Sequence, residues 1–170
     1  MAVAQILLGV SRLAQSRATI RPYLAHTIWV FVLFIYIFVI WWATWEFRSI
    51  EWTFPLYVYM LIAPTLLFFA CSLLVPQRLG EHEVDLEAHF FEIRRPLFWS
   101  FLLASAAVIV DGNILGGEAI WHRGRIGHAV LIGAPIWGLC TANRRSHNAI
   151  GIILFLALTV VVITRFWTPR

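Results

Sequence analysis

The sequence predicts an all-α membrane protein: a helical bundle of about five full transmembrane helices plus a short N-terminal apolar helix. Two observations carry this prediction. First, 61% of the 170 residues are hydrophobic and 13% are charged, whereas soluble domains are about half apolar and a quarter charged. A small globule has too much surface per volume to bury that many apolar side chains. Second, the apolar residues fall into long runs separated by short, arginine-containing connections.

Five apolar segments are long enough, or nearly so, to cross a hydrocarbon core of about 30 Å, which takes roughly 20 helical residues. In chain order they cover residues 23–45, 53–75, 96–117, 127–143 and 148–167. Pro64 and Pro135 predict kinks in two of them, because a proline inside a helix removes one hydrogen bond. Residues 2–14 cover only about 20 Å at a rise of 1.5 Å per residue. We expect residues 1–170 to form one integral membrane domain, in which this piece lies in the interface or is part of a longer helix.

The arginines give a topology. The chain has no lysine, and its arginines lie between the apolar segments and not in one block, which argues against a nucleic-acid surface. Counting alternate connections assigns the larger group to one side: Arg12, Arg17, Arg21, Arg78, Arg94, Arg95, Arg144 and Arg145. The other side has Arg48, Arg123, Arg125, Arg165 and Arg170. The positive-inside rule makes the first side cytoplasmic, and with it a polar, helical connection over residues 77–95.

Tryptophans bracket the connection between the first two spans. They are Trp41, Trp42, Trp45 and Trp52. Amphipathic rings prefer the headgroup zone, so an interfacial belt is the favoured interpretation. An aromatic cage for a ligand is the alternative.

Four motifs resemble, in their order, a family of small polytopic bacterial inner-membrane proteins for which no activity is established. They read RxYxxHxxW from Arg21, WWxxW from Trp41, WTF from Trp52 and DLxxHFFExRR from Asp85. The resemblance covers about residues 5–112 and implies a multi-pass protein of the bacterial inner membrane, with no implied activity. Members of that family have a longer N-terminal segment, so residues 1–14 are expected to correspond to half of a first helix.

The stretch EHEVDLEAHFFEIRR, residues 81–95, is the most polar part of the chain. If it is helical, spacings of three, four and three put two imidazoles and two carboxylates on one face: His82, Asp85, His89 and Glu92. Such a set could bind Zn²⁺, Mn²⁺ or Fe²⁺ together with a ligand from another cytoplasmic segment, for which His147 is the nearest candidate by topology. The favoured alternative is a solvated or packed juxtamembrane helix between two prolines.

Asp111 is an acidic residue at the end of an apolar run. A carboxylate at membrane depth costs about 2.5 kcal/mol or more and is a functional hypothesis by default. It could carry a proton, coordinate a cation, or pair with Arg123 or Arg125. The favoured alternative is that the span ends at Val110 and that Asp-Gly-Asn forms an interfacial turn.

Small residues four apart predict close helix contacts in lipid. The pairs are Gly112 with Gly116, and Ala134 with Gly138. Packing within one chain is favoured over a dimer face.

No phosphate-binding, hydrolase or metalloprotease motif is present in the sequence, and no cofactor is favoured. The leading functional hypothesis is non-enzymatic: a structural or accessory subunit that packs in the bilayer against itself or a larger membrane complex. The first alternative is a small transporter or channel that uses Asp111. The second is a membrane metal-binding protein that uses residues 82–92.

Overall fold

A computed structural model describes residues 2–15, 20–76, 84–114 and 125–166. The described chain is almost entirely helical, which confirms the all-α class. The helices are α1 (Ala2–Gln15), α2 (Leu24–Thr44), α3 (Phe54–Met60), α4 (Ile62–Leu74), α5 (Leu86–Ile114), α6 (Arg125–Cys140) and α7 (Arg144–Val161). A 3₁₀ segment, Trp45–Ser49, extends α2, and a wider helical turn, Val162–Phe166, extends α7.

Four stretches are long and apolar enough to cross a membrane, judged by length and composition. They are Leu24–Ser49, Phe54–Leu74, Leu86–Gly112 and Arg144–Thr164. The sequence predicted about five; the difference is α6, whose apolar part, Gly127–Cys140, is shorter than the other four. The N-terminal helix α1 is likewise short and apolar.

The helices form one bundle. Going round it, α4 packs against α5, α5 against α6, α6 against α7 and α7 against α2, while α1 lies along α4. Two short strands, β1 (Ile20–Arg21) and β2 (Val84–Asp85), pair in parallel and join the start of α2 to the start of α5. Hydrogen bonds from three histidines also bring the starts of α2, α5 and α7 to the ends of α4 and α6. We call this the histidine end, because it contains His26, His89 and His147.

The predicted kink at Pro64 takes the form of a break one turn earlier. Helix α3 ends at Met60 and α4 begins at Ile62. Pro64 then lies in the first turn of α4, where its missing N–H leaves no hydrogen bond unmade. The chain re-enters the helical ladder at Thr65, whose N–H donates to the carbonyl of Leu61 at 3.1 Å.

Helix α5 runs without a break through Pro96. The polar stretch from Leu86 to Arg95 and the apolar stretch after it are therefore one helix. Pro96 frees the carbonyl of Glu92, and Glu92 lies on an exposed face where water can satisfy that carbonyl. Beyond it, the hydroxyl of Ser100 donates to the carbonyl of Pro96 at 2.7 Å.

The same helix also continues past Asp111 to Ile114. The Asp-Gly-Asn turn that the sequence favoured does not form at this point. A glycine in a helix costs only about 1 kcal/mol relative to alanine, so the helical ladder outweighs the turn preference.

A column of rings fills the centre of the bundle. Neighbouring ring centroids lie 5.0–5.5 Å apart along the series His147, Phe98, Trp29, Phe101 and Tyr36. All five side chains are buried. Edge-to-face and offset aromatic pairs of this kind add about 0.5–1.5 kcal/mol each to the burial of their surface. The aromatic column thus forms a packed core between α2, α5 and α7.

Candidate functional site

Two histidines bind the end of α4. His26 Nε2 donates to the carbonyl of Leu74 at 2.8 Å, and His89 Nε2 donates to the carbonyl of Leu73 at 3.1 Å. The last four carbonyls of an α-helix have no partner inside the helix and form the negative end of its dipole. Imidazole Nε2–H groups from α2 and α5 therefore cap α4.

A third histidine does the same at the end of α6. His147 Nε2 donates to the carbonyl of Thr141 at 3.1 Å, and the guanidinium of Arg94 donates to the same oxygen. The connection to α7 is short because Asn143 caps the next helix, accepting from the N–H of Arg145 at 2.9 Å. The ends of α4 and α6 are thus both closed by side chains from neighbouring helices.

Tyr23 is packed between these caps. Its ring lies 5.4 Å from Phe90 and 6.1 Å from Phe91, and the Arg144 guanidinium lies 5.5 Å from the ring centre. Arg144 also forms an ion pair with Glu87 at 3.2 Å. Burial raises the pKa of Tyr23, the carboxylate of Glu87 adds to that rise, and Arg144 opposes it. The phenol is therefore neutral at physiological pH.

Several buried polar atoms at this end have no hydrogen-bond partner within the described residues. They are Tyr23 Oη, Trp29 Nε1, His147 Nδ1 and Asn148 Oδ1. Three of these side chains belong to one aromatic cluster: Phe90 contacts Tyr23 and His147, and Phe98 contacts Trp29 and His147. Unpaired buried polar groups are rare in folded proteins. At the histidine end, side chains thus cap the ends of α4 and α6. Beside these caps lie buried polar atoms that have no hydrogen-bond partner within the described residues.

The described members of the predicted metal set have separate roles. Asp85 is exposed and caps the start of α5, accepting from the N–H groups of Glu87 and Ala88 at 2.9 and 3.1 Å. His89 binds a carbonyl of α4, and Glu92 is exposed. Within residues 2–15, 20–76, 84–114 and 125–166, no three His, Cys, Asp or Glu side chains are grouped to hold a metal ion.

The fourth member, His82, lies outside the described residues. The metal hypothesis that includes it therefore remains a prediction from spacing.

Asp111 lies near the opposite end of α5 and is 7% exposed. The hydroxyl of Tyr59 lies beside its carboxyl group and donates to the carbonyl of Ala107 at 3.3 Å. The carboxyl oxygen Oδ1 of Asp111 has no partner within the described part of the chain. The proposed arginine partners cannot be compared with this geometry, because Arg123 and the side chain of Arg125 lie outside the described residues.

The small residues that predicted helix contacts differ in how closely a neighbouring helix approaches them. A Cβ at Gly138 would lie 2.5 Å from the ring of Phe98, so α6 approaches α5 closely at this residue. Ala134, one turn earlier, is buried. A Cβ at Gly112 would meet nothing within 4 Å. Gly116 lies outside the described residues.

The four tryptophans are exposed at the end of α2 that lies opposite the histidine end. Trp41 is the most exposed of them, at 78%; the others are Trp42, Trp45 and Trp52. Arg48 lies over the ring of Trp45, 5.6 Å from its centre. Two of these rings, Trp41 and Trp52, also line a cavity of about 860 Å³ between α2 and α3–α4.

Sequence reasoning singled out the polar stretch of α5 and named His147 as its nearest candidate partner by topology, but it did not bring Tyr23 and His26 to it. A signal was available for these two residues. Tyr23, His26 and Trp29 are spaced three apart, which puts them on one face of a helix. No comparable signal linked His147, since its role depends on where α6 ends. Comparison with protein-family models, curated proteins and solved structures gives no match to this chain.

Proposed function

We propose that the chain is a multi-pass integral membrane protein of the bacterial inner membrane, with the histidine end in the cytoplasm. Exposed large apolar side chains on the outer faces of the helices support this, including Phe31, Phe38, Phe54, Phe69, Leu156 and Val160. Soluble monomers rarely expose contiguous apolar patches beyond a few hundred Å². Lipid is the solvent that such a surface requires. The excess of arginine at the histidine end supports the orientation.

We propose further that it acts as a structural or accessory subunit, joining itself or a larger membrane complex. The single observation that carries this role is the first part of α5. Ala88, Glu92 and Arg95 are exposed on one helix face at the histidine end, since residues three, four and seven apart are neighbours on a helix. This α5 face is held rigidly, because Asp85 caps the helix and β1 pairs with β2 beside it. A helix face that carries both charges can recognise a partner by electrostatic complementarity.

The filled interior favours this role over transport. The aromatic column occupies the centre of the bundle with closely packed rings from α2, α5 and α7. A path for ions or polar solutes needs polar groups or water along its length.

Membrane residence and orientation are tested first. Urea washing of isolated membranes should leave the protein in the pellet. Cysteine labelling with a membrane-impermeant thiol reagent tests the orientation, with Cys140→Ser as background because Cys140 is the exposed native thiol of the described chain. In intact spheroplasts, Thr164→Cys should react and Ala88→Cys should not. The reverse pattern would contradict the orientation, and release by urea would contradict the location.

The docking role is tested by cross-linking in the same background. A reagent with a thiol-reactive maleimide and a photoreactive benzophenone, attached to Ala88→Cys on membranes and then illuminated, should link it into a product of higher mass, identified by mass spectrometry as a second copy or another subunit. Thr164→Cys, an exposed residue at the opposite end, is the matched control and should give no such product. A partnerless, monodisperse monomer in mild detergent, with no cross-link from Ala88→Cys, would contradict the proposal.

A second candidate function, ion or proton transport, is favoured by Asp111 alone. A carboxyl group that is 7% exposed, with one oxygen unpaired within the described residues, is a candidate proton or cation ligand. The test is ion flux into liposomes that contain the purified protein. Transport predicts a flux that Asp111→Asn abolishes. An equal flux through wild type and Asp111→Asn would contradict this candidate.

A further inference from the structure

The cavity between α2 and α3–α4 has an apolar wall. The wall includes Ile37, Ile40, Met60, Leu61, Leu67 and Phe68. Ala2, the first described residue of α1, also lines the cavity. Helix α1 is held beside the cavity because it is tied to α4: Gln5 donates to the Ser72 hydroxyl at 3.2 Å, and Gly9 lies against Val75.

The end of the cavity opposite Ala2 has the composition of a membrane interface. Trp41, Trp52 and Tyr57 line the cavity there, and all three are exposed. Amphipathic rings of this kind prefer the headgroup level of a bilayer. Among its described side chains, the connection beside them carries two exposed charges of opposite sign, Arg48 and Glu51. From Ala2 outward, the surface is thus apolar, then aromatic, then charged.

The size of the cavity suits lipid chains. The wall follows residues 60–68, a length of about 12 Å at 1.5 Å per residue. The cavity holds about 860 Å³. Flexible acyl chains can fill such an irregular apolar volume.

We propose that this cavity binds the acyl chains of one zwitterionic phospholipid, with the phosphate at Arg48 and the headgroup amine at Glu51. A headgroup that carries both charges matches a site that carries both charges, whereas an anionic lipid would meet Glu51 unfavourably. The inference rests on the proposed membrane location. It goes beyond that proposal by naming a specific bound lipid in place of general solvation.

Native mass spectrometry of the protein, purified in detergent and given equal amounts of phosphatidylethanolamine and phosphatidylglycerol, tests the inference. Wild type should keep one phosphatidylethanolamine per chain. Thr65 lines the cavity, so Thr65→Phe should fill it and weaken binding at least about tenfold, the ratio that corresponds to 1.4 kcal/mol. Thr164→Phe makes the same change at an exposed residue outside the cavity and should bind like wild type.

The charged residues are tested separately. The double variant Arg48→Gln with Glu51→Gln should keep a lipid but lose the preference for phosphatidylethanolamine. If Thr65→Phe fails to fold, Leu61→Trp fills the same wall from an exposed residue and is expected to give the same loss.

Two results would overturn the inference: wild type that holds no lipid, or a cavity-filled variant that binds as wild type does. Equal binding of both lipids by wild type would overturn the headgroup assignment. These failures are distinct from failure of the membrane location, because a protein that stays in urea-washed membranes without a retained lipid contradicts only the cavity.

Discussion

The imidazole rings of His26 and His89 lie 6.1 Å apart, one from α2 and one from α5, and bind two successive carbonyls at the end of α4. Three helices therefore meet through two hydrogen bonds. The arrangement satisfies acceptors that helix geometry leaves unpaired, and it does so with donors from outside the helix. It fixes where α4 ends relative to the starts of α2 and α5.

Removing these caps should destabilise the bundle unequally. His26→Ala leaves the Leu74 carbonyl without its donor in a buried environment, which costs about 1–3 kcal/mol. His89→Ala should cost less, because His89 is only half-buried. Thermal unfolding of the purified variants in detergent measures both. The matched control is Glu87→Ala, which removes an ion pair whose side chains are 35% and 62% exposed; an exposed pair contributes at most about 1 kcal/mol. Equal effects of His26→Ala and Glu87→Ala would contradict the capping role.

Tyr23→Phe should leave stability at neutral pH unchanged or raise it. The buried hydroxyl of Tyr23 has no partner within the described residues, so removing it removes a desolvation cost. Because folding raises the pKa of Tyr23 above its ordinary 10.0, chiefly by burial, its contribution to stability is present below pH 10 and is lost as pH rises through the folded pKa.

Unfolding temperatures of wild type and Tyr23→Phe across alkaline pH check this. Wild type should lose stability more steeply above pH 10. Tyr57→Phe, at an exposed tyrosine, should follow wild type. If the unfolding temperature falls equally with alkaline pH in wild type and in Tyr23→Phe, ionisation of the Tyr23 phenol does not cause the loss of stability.

Gly138→Ala should destabilise the contact between α5 and α6. The added methyl group would lie within 3.0 Å of three atoms of the Phe98 ring, and that ring is held by Trp29, Phe90 and His147. Overpacking of this kind costs about 1–3 kcal/mol. Gly133→Ala in the same helix meets nothing within 4 Å and should be neutral or stabilising by up to about 1 kcal/mol.

The double variant Gly138→Ala with Phe98→Leu identifies the contact. Thermal unfolding should show a smaller loss than the sum of the two single changes. If the two losses of stability were strictly additive, the added methyl group would not interact with the Phe98 ring.

Asp111→Asn should stabilise the fold or leave it unchanged. The amide keeps the shape of the side chain, but it removes the cost of a buried charge, one of whose oxygens has no partner within the described residues. Thermal unfolding near neutral pH measures the difference. A clear loss of stability would mean that the carboxylate has a partner of opposite charge outside the described residues.

The bundle was predictable from the sequence because each long apolar run by itself indicates a helix. Leu24–Ser49 and Arg144–Thr164 contain almost no competing pattern, and both appear as helices of the expected length. The boundaries were not predictable where two local preferences compete. Pro96 was expected to divide a polar connection from a span, yet the helix continues because the freed carbonyl lies on an exposed face.

The histidine end could be predicted only in part. His89 was identified from its spacing within one helix, but its partner is a carbonyl of α4, which no side-chain pattern reveals. His147 was identified only as the nearest residue by topology. Its hydrogen bond depends on α6 ending just before Thr141, a boundary set by packing. Sequence patterns report which residues share a face, whereas capping depends on where a different helix stops.

The continuity of α5 has a mechanical consequence. From Leu86 to Asp111 the chain is one continuous helix about 38 Å long. Its exposed first turns carry Glu92 and Arg95, and its far end carries the buried carboxyl group. A partner that tilts or rotates the α5 face would therefore move Asp111 as well. Binding at the histidine end would then displace the Asp111 carboxyl group near the opposite end of the bundle.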